Sequence, residues 1–274
     1  MNWNWRAMRA IMRKDLAQVF QNKMVWVPMV IVPLLLQVIM PLFLIVLPSI
    51  FGVEQFDPAE LAPMMAKMPA FIKSPFENLT GLQQWIMLSA NYMFAPLFLI
   101  VPLMLSSILG ADSFAGENER KTLEGLLYTP LSEMELFVAK VLTALVPAVV
   151  ISIGSFVLYG VVVNLGGYRV MGGIYFPTAV WWPLVFWLGP AVSVAGLGAT
   201  VLISSKSKSF MQTQQLSGSL VLPIAFLMIG QVSGLFFLGP IVLIVMGLIV
   251  WAVGLWLVWI GAKTFSRGEL IARI

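Results

Sequence analysis

The side chains best able to do chemistry in this chain are carboxylates gathered in one short stretch. Between positions 112 and 135 lie Asp112, Glu117, Glu119, Glu124, Glu133 and Glu135, against only Arg120 and Lys121. Clustered acids can serve catalysis or bind a partner. Catalysis is poorly supported, because the chain has no Cys and no His. Thiol nucleophiles, disulfides, Cys/His metal sites and His proton relays are therefore absent, and no metal site is assigned. No GxxxxGK[ST] phosphate loop occurs either, so nucleotide hydrolysis has no seat on this chain. The remaining roles for the acidic stretch are a docking surface or a solvated loop.

The elements around it are membrane spans. The chain of 274 residues is 60% hydrophobic and 10% charged, with a mean hydropathy of +0.95, whereas soluble domains devote about a quarter of their residues to charge. The run 209–262 has no ionisable Asp, Glu, Lys or Arg and is long enough for a hairpin of two spans. Hydrophobic runs predict six spans near 24–50, 85–109, 136–165, 179–203, 216–236 and 241–261, an all-α membrane protein. The resulting organisation is an N-terminal amphipathic segment 1–23, a six-span unit 24–262 and a tail 263–274. Within the unit, 52–84 is an outer segment and 111–135 an inner loop.

An even number of spans puts both termini on one side. That side carries thirteen of the sixteen bases, leaving Lys67, Lys73 and Arg169 opposite, so the positive-inside rule makes both termini cytoplasmic. The net charge of +4 follows from this topology and implies no nucleic acid. Trp5, Met8, Met12, Leu16, Val19 and Phe20 form an apolar stripe beside Arg6, Arg9, Arg13 and Lys14, which predicts a helix on the inner leaflet. Tryptophans 85, 181, 182, 251, 256 and 259 read as headgroup anchors. Pro28, Pro33, Pro41 and Pro48 predict a bent first span. Ala191, Ala195 and Ala199, with Gly247, Gly254 and Gly261, permit close packing of the fourth and sixth spans.

Within the acidic stretch, Ser113 is a candidate cap for a helix whose Leu123, Leu126 and Leu127 form an apolar edge before Thr129 and Pro130 end it. Ser132 and Glu135 form a capping box that starts the third span. The run GADSFAGENERKTLEGLLYTPLSEMELFVAK, Gly110 to Lys140, closely resembles the hallmark loop of the ATP-binding-cassette type-2 permease family, in particular its sodium-export-permease-like branch. Six spans, an amphipathic N-terminal helix and a broken hairpin between the last two spans also resemble that family. Lys121 departs from the pattern, where the family commonly has Gly.

The resemblance implies a coupling helix between spans two and three that docks on a separate ATPase, with Glu117, Glu119, Arg120, Lys121, Thr122, Leu123, Glu124, Leu126, Leu127 and Pro130 at the interface. It implies a permease subunit of an exporter in a prokaryotic cytoplasmic membrane, paired with a second permease copy or a relative. ATP and magnesium would sit on the partner ATPase and no cofactor on this chain. The residues themselves leave two alternatives, an ATPase-independent transporter or channel and a membrane scaffold. No Asp, Glu, His or Arg lies within the predicted spans, which argues against proton coupling. Gln37, Asn91, Gln231 and Ser233 are the candidate pathway or gate residues of an otherwise apolar route suited to lipids, hydrophobic drugs or amphipathic peptides.

Overall fold

The computed structural model describes residues 3–47, 66–69, 73–76, 78–120, 131–207 and 209–264. Helix α1 spans Trp5–Gln21, and six helices long and apolar enough to cross a membrane follow: α2 (Lys23–Val46), α3 (Gly81–Gly116), α4 (Glu133–Met171), α5 (Trp181–Ser204), α6 (Phe210–Val232) and α7 (Pro240–Thr264). No strand occurs among the described residues. The chain is an all-α, multi-pass membrane protein.

Local sequence sets the helix ends. Asn4 Oδ1 accepts from the Ala7 N–H at 3.2 Å to open α1. Asn22 closes α1 through its N–H to Gln18 O at 3.1 Å and opens α2 by accepting from Met24 N at 3.1 Å, so one residue turns the chain from one helix into the next. The capping box at the start of α4 is present: Glu135 N donates to Ser132 Oγ at 3.3 Å and Ser132 N to Glu135 Oε2 at 2.8 Å. Gly172, at φ 72°, ends α4 in the left-handed conformation that only glycine takes without strain. Between α6 and α7, Gly234 at φ 71° and the Leu235 N–H on Gly230 O at 2.9 Å make a helix-ending turn of the break expected as a gate.

Prolines shift the hydrogen-bond ladder in α2, which changes from α to π pairing over Leu35–Ile39 and Leu42–Val46, on either side of Pro41. A missing N–H and a ring against the preceding turn make wider pairing the lower-energy solution. Pro48 lies outside the described residues.

Helices α3 and α5 form the centre. In their most apolar windows 78% and 61% of residues are buried, against 17–33% in the other four spans. Glycine permits the α5–α7 contact: a Cβ on Gly254 would stand 2.8 Å from Ala195 N, and one on Gly198 3.0 Å from Val258 N. The small-residue positions in these spans are therefore packing sites.

Two expectations change. α3 does not end near residue 109 but continues to Gly116, and Glu117–Glu119 remain helical beyond it. Ser113 therefore caps nothing, since it lies inside a buried π turn, Asp112–Gly116. The apolar stripe of α1 is also divided. Met8, Ile11, Asp15 and Val19 are buried while Trp5 and Phe20 are 54% and 74% exposed. Packing against Leu131, Leu136 and Ala139 selects the inner half of the stripe, so α1 lies against the bundle as well as along its edge.

Candidate functional site

The acidic stretch leaves α3 through a buried ionic joint on the face that carries the described ends of the chain. Lys140, in the second turn of α4, is fully buried; its Nζ donates to Ser113 O at 2.7 Å and pairs with Glu117 Oε2 in a very short contact. Lys14 of α1 approaches the other oxygen, Glu117 Oε1, at 3.3 Å. Arg120 turns back on Asp112, with Nη1 2.9 Å from Oδ1 and Nη2 3.3 Å from the carbonyl. Two residues beyond Glu117, Glu119 Oε2 accepts the Phe210 N–H at 2.8 Å, a carboxylate on an unpaired donor at the N-terminus of α6, where the helix dipole favours negative charge. Asn4 N donates to Glu135 Oε1 at 2.8 Å and ties the start of α1 to α4.

The end of α3 is thus tied to α1, α4 and α6 within three residues, immediately before the segment 121–130. A fully buried ion pair gives little net stability, because desolvation offsets the Coulomb attraction, but it penalises any geometry that separates the charges. The arrangement is a stiff joint.

Asp15 is the odd member. It is 4% exposed, 3.7 Å from Lys14 Nζ through Oδ1, and neither carboxylate oxygen has a hydrogen-bond partner among the described residues. Burial above all raises its carboxyl pKa, with Glu117 and Asp112 acting in the same direction and Lys140 and Lys14 opposing.

Of the expected docking residues, Glu117 is 1% exposed and engaged in the joint. Glu119 and Arg120 are more exposed. Lys121, Thr122, Leu123, Glu124, Leu126, Leu127 and Pro130 lie outside the described residues. On α1, Arg6, Arg9 and Arg13 are exposed, while Met8 is buried and Met12 and Leu16 are half-buried. Sequence reasoning missed Asp15 and Lys140, and took Asp112 only as one of six clustered acids. The available signals were a carboxylate in register with Met8 and Ile11 on one helix face, and a lysine one turn inside the apolar run of the third span.

The candidate gate residues divide. At the opposite face, the π turn Ser89–Met93 of α3 presents three successive carbonyls to three other spans. Tyr159 Oη of α4 donates to Ala90 O at 2.7 Å, Trp181 Nε1 of α5 to Asn91 O at 3.2 Å and Gln231 Nε2 of α6 to Tyr92 O at 2.6 Å. Pro96 has no N–H for the carbonyl four residues earlier, that of Tyr92, and Gln231 supplies the donor. Asn91 Oδ1 accepts from Thr178 N at 3.2 Å. Asn91 and Gln231 therefore hold one hub together. Ser233 donates to Gly230 O and its carbonyl accepts from Lys67 Nζ at 3.2 Å, while Gln37 is buried on α2 and its Oε1 has no hydrogen-bond partner among the described residues. Trp181, expected as a headgroup anchor, is fully buried at this hub.

Among the described residues no cluster of three or more Asp or Glu could hold a metal ion. A family model described as ABC-2 family transporter protein matches residues 9–243. Neither a search of curated proteins nor one of solved structures returned a match.

Proposed function

Because this chain belongs to the ABC-2 transporter family, and so is a membrane transport subunit, we propose that it is the permease of an exporter driven by a separate ATP-binding-cassette ATPase. Proteins of this family normally work with an ATP-binding subunit. The ATPase docks on the segment 121–130, both termini face the cytoplasm, and two permeases pair in a prokaryotic cytoplasmic membrane. The likeness of Gly110–Lys140 to the sodium-export-permease-like branch supports placing the chain there.

The observation that carries this reading is the joint of Glu117 with Lys140 and Lys14, beside the Glu119 contact to Phe210. A segment pushed from below needs a stiff route into the spans, and these contacts supply one into α4 and α6. The charges also gather at one end. The spans carry no described Asp, Glu, Lys or Arg between Lys140 and Arg169 of α4, nor anywhere in α5 or α6, which favours an external energy source over an ion bound at mid-membrane.

The test is co-purification with the cognate ATPase and ATP-dependent transport after Glu124→Lys and Leu127→Asp are introduced together. Membrane insertion should be unchanged, with ATPase recovery and transport lost. Retention of both would overturn the proposal.

A further inference from the structure

Between α1, the first turns of α2 and the middle of α4 lies a groove of about 390 Å³, lined among others by Leu16, Phe20, Trp26, Val30, Gly154 and Leu158. Its size is in the range of small-ligand sites. Phe20, Val30 and Leu158 are 74%, 47% and 41% exposed, so the groove is continuous with the lipid-facing surface of the helices. The only hydroxyl in the lining is that of Ser155, and it is engaged, donating to Ser152 O at 2.8 Å. The chemistry of the walls therefore admits hydrocarbon and offers little to a polar solute.

The rim is different. Arg13 precedes Leu16 by three residues and Phe20 by seven, and Lys23 precedes Trp26 by three and Val30 by seven. That spacing puts each base on the same side of its helix as the wall residues. Both side chains are exposed. An apolar slot between two helices, each with an exposed base one turn before its wall residues on the same side, matches a ligand with a long apolar tail and an anionic head.

We propose that this groove is a binding site for one acyl chain of a resident anionic phospholipid, whose headgroup phosphate meets Arg13 and Lys23. The site depends on the membrane location of the chain and not on how transport is energised. Gly154 lines it, and a Cβ there would meet nothing within 4 Å, so a side chain at this position starts out into open space.

The test uses the full chain in phosphatidylcholine vesicles doped with chain-brominated phosphatidylglycerol or, separately, chain-brominated phosphatidylcholine. Bromine quenches indole emission on contact, and subtracting the signal of Trp26→Phe isolates the groove. Half-quenching of the Trp26 signal should need less phosphatidylglycerol than phosphatidylcholine by about thirtyfold, the order expected for two bases near a membrane surface. The preference should vanish in Gly154→Phe, which fills the slot, and in Arg13→Gln with Lys23→Gln, which leaves it open but neutral. Equal quenching by the two lipids in the unaltered chain would overturn the proposal, as would a preference that survives in either variant. If Gly154→Phe fails to fold, the exposed charge variant decides the question.

Discussion

Lys140 and Glu117 face each other with almost no access to water, so neither can lose its partner without leaving a buried charge. Lys140→Met should lower stability by about 3 kcal/mol, the lower end of what breaking a buried pair costs, because Lys14 stays 3.3 Å from Glu117 and keeps its charge partnered. Adding Glu117→Gln should recover most of that loss, and thermal unfolding in detergent measures both. Asp15 poses the opposite case. Burial raises its folded-state pKa above the ordinary 3.8, so the folded protein holds this proton to higher pH than the unfolded chain does. The stability contribution of Asp15 then falls as pH rises from the unfolded value through the folded one, and at neutral pH the ionised carboxylate is a net cost. Asp15→Asn should raise the melting temperature at neutral pH, and the gain should shrink as pH is lowered toward 3.8. A constant gain across that range would show that Asp15 does not titrate as burial dictates.

At the scale of elements, α3 is interrupted where it is most useful. The π turn Ser89–Met93 and the following Pro96 free backbone carbonyls at the centre of the bundle, and side chains from α4, α5 and α6 satisfy them. In lipid an unsatisfied carbonyl has no water to turn to, so the interruption and its three donors must occur together. Tyr159→Phe removes one donor with little change of shape. Its cost should be modest, about 0.6 kcal/mol and at most about 1.7, as measured for hydrogen bonds between membrane helices. Unfolding in mixed micelles gives that number. The hub was only half legible beforehand: Asn91 and Gln231 stood out as polar residues in apolar runs, but their partners are backbone atoms, which no side-chain pattern reveals.

For the whole molecule, the prediction concerns sidedness. The bases near the described chain ends share a face with the joint, and Lys67 and Arg169 belong to the other. The chain has no Cys, so single cysteines report cleanly. In intact cells a membrane-impermeant maleimide should label Lys67→Cys and Arg169→Cys, and should label Lys206→Cys only after permeabilisation. The reverse pattern would invert the assigned topology and with it the direction in which an ATPase could push. On that opposite face Met68 and Phe76 are buried against the core, and Lys67 donates to the Ser233 carbonyl at the end of α6.

The number of spans and their order were fixed by composition along the chain, because hydrocarbon excludes charge and free backbone groups whatever the spans pack against. Capping was equally local: Ser132 and Glu135 act within one turn. Which helices became central was settled by packing, where α3 and α5 bury most of their surface and α7 approaches α5 through glycine. The joint is tertiary for the same reason. Asp15, Glu117 and Lys140 are separated by long stretches of chain, and a charge reveals its partner only once folding has removed the water that would otherwise have solvated it.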